Sequence, residues 1–158
     1  MALTAQIITA SNRASKGVYA DTSGEILADG LSKLGYQVSD VVVVEDDVEK
    51  ISAQITRALT LNIDLVVTTG GTGISPTDVT PEATMPLIEK LLPGIPEALR
   101  AYSRDKVPTS DLSRGVAGVT GSSLIINLPG SPGGVRDGLV IIERLAPHVH
   151  EIGRASCR

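Results

Sequence analysis

Five consecutive residues, Leu65-Val-Val-Thr-Thr69, carry no charge and are mostly β-branched. That is the pattern of a strand buried on both faces of a sheet. The next residues narrow the fold further. Gly70, Gly71 and Gly73 let the chain turn sharply and take positive φ, and they leave backbone N–H groups with no Cβ in front of them. Thr80-Pro81-Glu82 then reads as a helix start, with Thr80 at the N-cap, Pro81 at the first helical position and an acid in the first turn. A strand, a glycine loop and a helix start, in that order, gather N–H donors around an anion, usually a phosphate.

Two phosphate motifs can be tested against this stretch, and both fail. A P-loop needs a Lys after its last glycine, and none is there. A dinucleotide fingerprint needs Gly-x-Gly-x-x-Gly, and counting from Gly71 puts Pro76 where the third glycine belongs. Asp78 adds a constraint. A carboxylate beside phosphate oxygens is repelled by roughly 1 kcal/mol at 4 Å in water and by several-fold more where partly buried. A Mg²⁺ between them removes the conflict. The alternative is that Asp78 caps the helix after it.

Other segments repeat the strand-then-loop grammar. Thr4–Ala10 is an apolar strand running into Ser11-Asn12-Arg13. Ser11 and Arg13 either meet an anionic ligand at the carboxyl edge of a parallel sheet or form a plain polar loop. Thr22-Ser-Gly-Glu25 spells a capping box before a helix ended by Gly35, with Asp21 a turn residue. Tyr36–Val44 reads as a strand with Val41–Val44 as its buried heart. Of the three acids at its end, Glu45-Asp46-Asp47, Asp47 suits an N-cap, and the cluster could equally supply a metal contact.

The helix from Pro81 is expected to end near Leu92-Pro93-Gly94, and Pro96 opens another. Ser113-Arg114 suits a phosphate, and is also ordinary loop content. Val116–Val119 and Leu124–Leu128 read as two strands joined by a glycine turn. Pro129-Gly130-Ser131-Pro132 makes a second strand–glycine–helix junction, with Ser131 as N-cap. Asn127, just inside the strand end, either reads a ligand edge or bonds the turn. The last helix starts near Gly133, and Pro147 is expected to break or kink it. His148 and His150 are two apart, on different helical faces, and read as solvated. Alternating strands and helices give an α/β fold with a mostly parallel sheet.

At 158 residues the chain is one domain, long enough to bury about two-thirds of its unfolded surface. A net charge of −4, no Phe or Trp and only three Tyr argue against nucleic-acid binding, which uses basic patches and stacking platforms. Cys157 is the only cysteine, so no intrachain disulfide forms and a reducing compartment is expected. No signal peptide and no apolar run of roughly 20 residues is visible, so the chain reads as cytoplasmic. Residues 153–158 fit no pattern and are expected to be a disordered tail.

The run Thr69-Gly-Gly-Thr-Gly-Ile-Ser-Pro-Thr-Asp-Val-Thr-Pro-Glu-Ala-Thr84 resembles the signature of molybdenum-cofactor proteins of the MogA/MoaB type, which include the G domain of gephyrin and its plant counterpart. The resemblance continues in Ser11-Asn-Arg13, Asp21-Thr-Ser-Gly24, Ser113-Arg114-Gly115 and Leu124-Ile-Ile-Asn-Leu-Pro-Gly-Ser-Pro132, so it spans nearly the whole chain. It implies a three-layer α/β/α molybdopterin-binding fold and Mg²⁺-assisted transfer of the adenylyl group of ATP to molybdopterin. It also implies a homotrimer and contact with other molybdenum-cofactor enzymes. Carried onto this sequence, Asp46 and Asp78 match the catalytic, metal-handling acids. Gly70, Gly71, Thr72, Gly73 and Ser75, with Pro129-Gly130-Ser131, match segments that hold nucleotide and pterin phosphates. Thr80, Pro81, Glu82, Ser11, Arg13, Ser113, Arg114 and Asn127 match further ligand-side positions. Two other functions stay open: a trimeric molybdopterin carrier or scaffold without turnover, and a nucleotide enzyme with another acceptor. A carrier needs no metal-handling acid pair, so Asp46 and Asp78 together favour the enzyme.

Overall fold

In the computed structural model, which describes residues 2–156, seven strands form one sheet in the order β2-β1-β4-β7-β6-β5, and β3 also pairs with β1. The strands are β1 (Thr4–Ala10), β2 (Gln37–Val38), β3 (Val42–Val44), β4 (Leu65–Thr69), β5 (Lys90–Leu91), β6 (Ala117–Thr120) and β7 (Ser123–Leu128). The first four and β7 run parallel, while β6 pairs antiparallel with β7 and β5 antiparallel with β6, so that only β6 is reversed. The helices are α1 (Asn12–Ser15), α2 (Thr22–Lys33), α3 (Val48–Thr60), α4 (Thr80–Thr84), α5 (Gly94–Ser103) and α6 (Pro132–Ser156).

The period of two along each central strand feeds two cores. Ala5, Ile7, Leu65, Val67, Leu124 and Ile126 pack with α2, α5 and α6 on one face. Ile8, Ala10, Val66 and Ile125 pack with α3 and α4 on the other. Both faces are therefore covered, which is why these strands read as continuous apolar runs. The architecture is the three-layer α/β/α sandwich expected. Among the described residues no helix is long and apolar enough to cross a membrane.

Several local expectations are corrected. The strand over Tyr36–Val44 is two pieces, β2 and β3. Between them the chain leaves the ladder, and the Gln6 side-chain amide donates to the Asp40 carbonyl at 2.9 Å. The β3 valines are only half-buried, because they lie at the edge of the sheet. The helix from Pro81 ends at Thr84, not near Leu92. Pro86 cannot donate to a preceding turn, so the chain passes through a 3-10 turn at Met85–Leu87 and pairs as β5 with β6. The α2 N-cap is Asp21, not Thr22. Its carboxylate accepts the Gly24 N–H at 3.0 Å while the Thr9 hydroxyl holds its other oxygen at 2.8 Å.

Pro147 does not break α6. Residues on both sides of it are packed: Ile142 and Ala146 before it, His150 after it. His148 is exposed, but His150 is buried, against expectation, and lies 2.9 Å from the Tyr36 hydroxyl. Burial, and then the charge of Asp64, push the Tyr36 phenol up to about 12. The stretch expected to be a tail is helical as far as Ser156, and Cys157 and Arg158 lie outside the described residues.

Candidate functional site

The site is set by strand register. Thr68 pairs with Asn127 and Thr69 with Leu128, so β4 and β7 end side by side and both glycine junctions leave the same edge of the sheet. They are stitched together. Gly70 N–H donates to Leu128 O at 3.1 Å, and the Thr69 hydroxyl donates to Pro129 O at 2.8 Å. Glycine is required at this contact. Gly70 has φ +94°, a Cβ on it would meet Ala10 O at 2.3 Å, and a Cβ on Gly130 would meet Gly70 Cα at 3.2 Å. The result is a glycine ridge with a cavity on each flank.

The first cavity, about 450 Å³, lies between the ridge, the start of α6 and the segment 96–115. Leu99, Val107 and Leu112 give it apolar wall, Arg100 and Lys106 give it positive charge, and Asp137 is its one carboxylate. The second, about 430 Å³, lies between the ridge, the end of β1, the start of α2 and the β3–α3 junction. Asp46 and Asp78 both line it.

Asp46 is held in place by a reciprocal pair with Asn12. Asn12 N–H donates to Asp46 Oδ2 at 3.1 Å, and Asp46 N–H donates to the Asn12 side-chain oxygen at 2.9 Å. Its pKa is raised: burial is the main cause, the charge of Asp78 adds to it, and the Asn12 N–H opposes it. Asp78 accepts the Ser75 N–H at 3.0 Å, which closes the tip of the glycine loop. Two half-buried carboxylates that repel one another are a donor set a divalent cation would satisfy. Mg²⁺ in particular binds one or two carboxylates and completes its shell with water and phosphate oxygens. Among the described residues no group of three or more His, Cys, Asp or Glu side chains is placed to hold a metal ion by itself.

The chain is similar to known proteins along most of its length. Residues 6–148 match the model of a family described as a probable molybdopterin binding domain. The chain is 43% identical over 147 residues to a molybdopterin adenylyltransferase of Helicobacter pylori, covering 90% of this chain and 82% of that one. It superposes on the molybdopterin biosynthesis Mog protein from Mycobacterium ulcerans with a TM-score of 0.91 at 46% identity, covering 96% and 99% of the two chains. For the tungsten-cofactor-synthesizing MoaB of Pyrococcus furiosus the TM-score is 0.89 at 34% identity, covering 97% and 98%. The chain belongs to the MogA/MoaB family.

In this MogA/MoaB chain the anticipated residues separate into three groups. Ser11, Asp46, Gly70, Gly71, Asp78 and Gly130 line the second cavity. Thr72, Gly73, Ser113, Asn127, Pro129 and Ser131 line the first. Arg13, Ser75, Thr80, Pro81, Glu82 and Arg114 line neither. Arg13 is exposed. Thr80 is fully buried and is not a cap. Its hydroxyl donates to Gly70 O at 2.9 Å and its N–H to Gly71 O at 3.0 Å, so it pins the loop from beneath. Arg114 spends its fork on the loop, donating to Gly73 O, Asp78 O and both oxygens of Glu82. Asn127 is buried. Its amide donates to the Thr68 and Thr84 hydroxyls and its oxygen accepts the Val116 N–H. Ser131 caps α6, as anticipated, through Gly134 N–H at 3.0 Å.

Sequence reasoning missed Asp21 and Ser23 beside the second cavity, and Arg100, Lys106 and Asp137 in the first. Ser23 donates to Gly130 O at 2.7 Å, tying α2 to the ridge. Asp137 lies two residues from both Val135 and Leu139, off the apolar stripe of α6, so periodicity gave no signal for it. Arg100 and Lys106 carried no signal, since charges on a surface helix and a polar loop are ordinary.

Proposed function

We propose that this chain transfers the adenylyl group of ATP to molybdopterin, with Mg²⁺, releasing pyrophosphate. The observation that carries the proposal is the pair of cavities on one glycine ridge, with the two acids confined to one of them. ATP with its metal belongs beside Asp46 and Asp78. The pterin belongs in the first cavity, among apolar walls that flank a planar ring. The two phosphates that must react then meet on the ridge. The molybdopterin adenylyltransferase name of the Helicobacter pylori relative supports the activity.

The reaction needs no protein nucleophile. An oxygen of the pterin phosphate attacks the α-phosphorus of ATP in line; the new P–O bond forms as the bond to the bridging oxygen breaks and the electron pair leaves with pyrophosphate. The chain's part is positioning and charge. Gly70–Gly73 and Gly130 allow phosphates close to the backbone. The N-terminus of the 25-residue helix α6, entered at Pro132 and capped by Ser131, places positive dipole at the ridge. Asp46 and Asp78 would hold Mg²⁺, which when bound offsets charge on the departing pyrophosphate. We also assign the chain to a cytoplasmic homotrimer, as the resemblance implies; light scattering that returns a monomer removes that assignment.

The deciding experiment mixes purified protein with molybdopterin, ATP and Mg²⁺ and monitors pyrophosphate and adenylated pterin. Both should appear together and only with all three components. Molybdopterin binding without pyrophosphate would favour a carrier, and ATP consumption without molybdopterin would favour an enzyme with another acceptor.

A further inference from the structure

Asp137 is the only carboxylate lining the first cavity, and the adenylyl transfer does not use it. It lies on α6 about one turn beyond Gly133 and Gly134, and its side chain is 13% exposed. Ser103 donates to its Oδ2 at 2.7 Å and Lys106 Nζ meets its Oδ1 at 2.7 Å. An ionised carboxylate offers about two acceptor sites on each oxygen. One bond to each oxygen is made within the protein, so each keeps one acceptor site. The unused pair can receive two parallel N–H groups, the geometry by which a carboxylate takes a planar fork.

A pterin carries that fork. Its 2-amino group and N3–H form an amidine edge that donates twice in one plane. The other charged groups in the cavity, Arg100 and Lys106, are donors and cannot recognise it. Arg100 is partly committed, donating to Ser113 O at 3.1 Å. Lys106 is half-exposed and also lies 4.5 Å from the Tyr102 ring centroid. Its ammonium keeps Asp137 paired before a ligand arrives and is free to swing towards solvent when one does.

We propose that Asp137 is the specificity residue of the first cavity, reading the 2-amino-4-oxopyrimidine edge of the pterin, with Lys106 as its movable counter-ion. This rests on the assignment of molybdopterin to that cavity. It assigns the ring edge to one side chain and leaves the phosphates at the ridge.

The test compares binding of two free probes, pterin and lumazine, which differ in that lumazine has a carbonyl in place of the 2-amino group. Fluorescence titration of the full chain should give wild type a preference for pterin of at least about tenfold, since a carboxylate facing a carbonyl is left repelled and unpaired. Asp137→Asn should abolish the preference while changing lumazine affinity less than about threefold. Lys106→Gln should keep it. A ratio is the useful readout, because general loosening of the cavity weakens both probes alike, and thermal melts of each variant check folding. A preference that survives Asp137→Asn, or that disappears equally in Lys106→Gln, overturns the proposal even if wild type adenylates molybdopterin normally. Wild type that neither binds pterin nor adenylates molybdopterin overturns this proposal and the pterin assignment together.

Discussion

Asp78 stands near enough to Asp46 for its charge to raise the Asp46 pKa, across a cavity both residues line. Two acids held this way lose stability to each other and gain it from a shared cation. Asp78→Asn should therefore leave the fold intact and cut adenylation by several kcal/mol of barrier, on the order of a thousandfold. Near-normal turnover by the variant in the Mg²⁺/ATP assay would remove Asp78 from the mechanism.

Asp46 also sets a pH dependence whose sign is fixed by its raised pKa. It holds its proton more tightly folded than unfolded. Ionising it therefore costs stability, and stability falls as pH rises from the ordinary value of 3.8 through the higher folded value. Asp46→Asn removes this penalty. The variant should be more stable than wild type at about pH 7, and the gap should narrow towards about pH 3 as wild-type Asp46 takes up its proton. Mg²⁺ should raise the wild-type melting temperature more at the higher pH. A gap that stays constant across that range, by thermal melting without metal, contradicts the assignment.

A glycine beside the ridge and one in the β6–β7 turn give a contrast. Gly71 has φ +69°, and a Cβ on it would meet the Thr80 hydroxyl at 2.3 Å. Gly121 has φ +58° with nothing within 4 Å. Gly71→Ala should cost about 1–3 kcal/mol in urea unfolding and displace the loop. Gly121→Asn should cost only a few tenths, since Asn tolerates the left-handed region. Equal costs at the two positions would mean that the Thr80 contact is unimportant.

Arg114 and Glu82 form one clamp, with Nη1–Oε1 at 2.7 Å and further bonds to Gly73 O and Asp78 O. Both are substantially exposed, so the ion pair contributes about 1 kcal/mol or less, and its role is loop order. Arg114→Lys keeps the charge but loses the fork. It should lower kcat with little change in KM for ATP, and Glu82→Gln should do the same more weakly. A rise in KM for Arg114→Lys, with Glu82→Gln silent, would instead make Arg114 a ligand contact.

The Asn127 side chain makes two buried bonds, to Thr68 and Thr84, and a part-buried one from Val116 N–H. Asn127→Leu leaves those partners unpaired and should cost about 3 kcal/mol or more, read by denaturant unfolding. A neutral effect would show that water replaces the amide.

The local rules carried much of this molecule. Alternating packing of Ala5, Ile7 and Ile8, the glycine bends at Gly70 and Gly71, and the caps at Asp47 and Ser131 depend on neighbours in sequence, and the residues state them directly. Resemblance then brought Asp46 and Asp78 together from the sequence alone. What sequence could not supply were partners far along the chain. Thr80 reads as a cap because its neighbours suit one, yet its hydroxyl turns back to Gly70. His150 reads as a solvated terminal residue, yet Tyr36, 114 positions away, receives it in the interior. The division of the anticipated residues between two cavities likewise depends on β4 and β7 ending in register, and on Lys106 reaching Asp137 across 31 residues. Periodicity and turn chemistry act over a few bonds and are written in the chain, whereas the choice of distant partner is made only when the layers close and each buried polar group must find one.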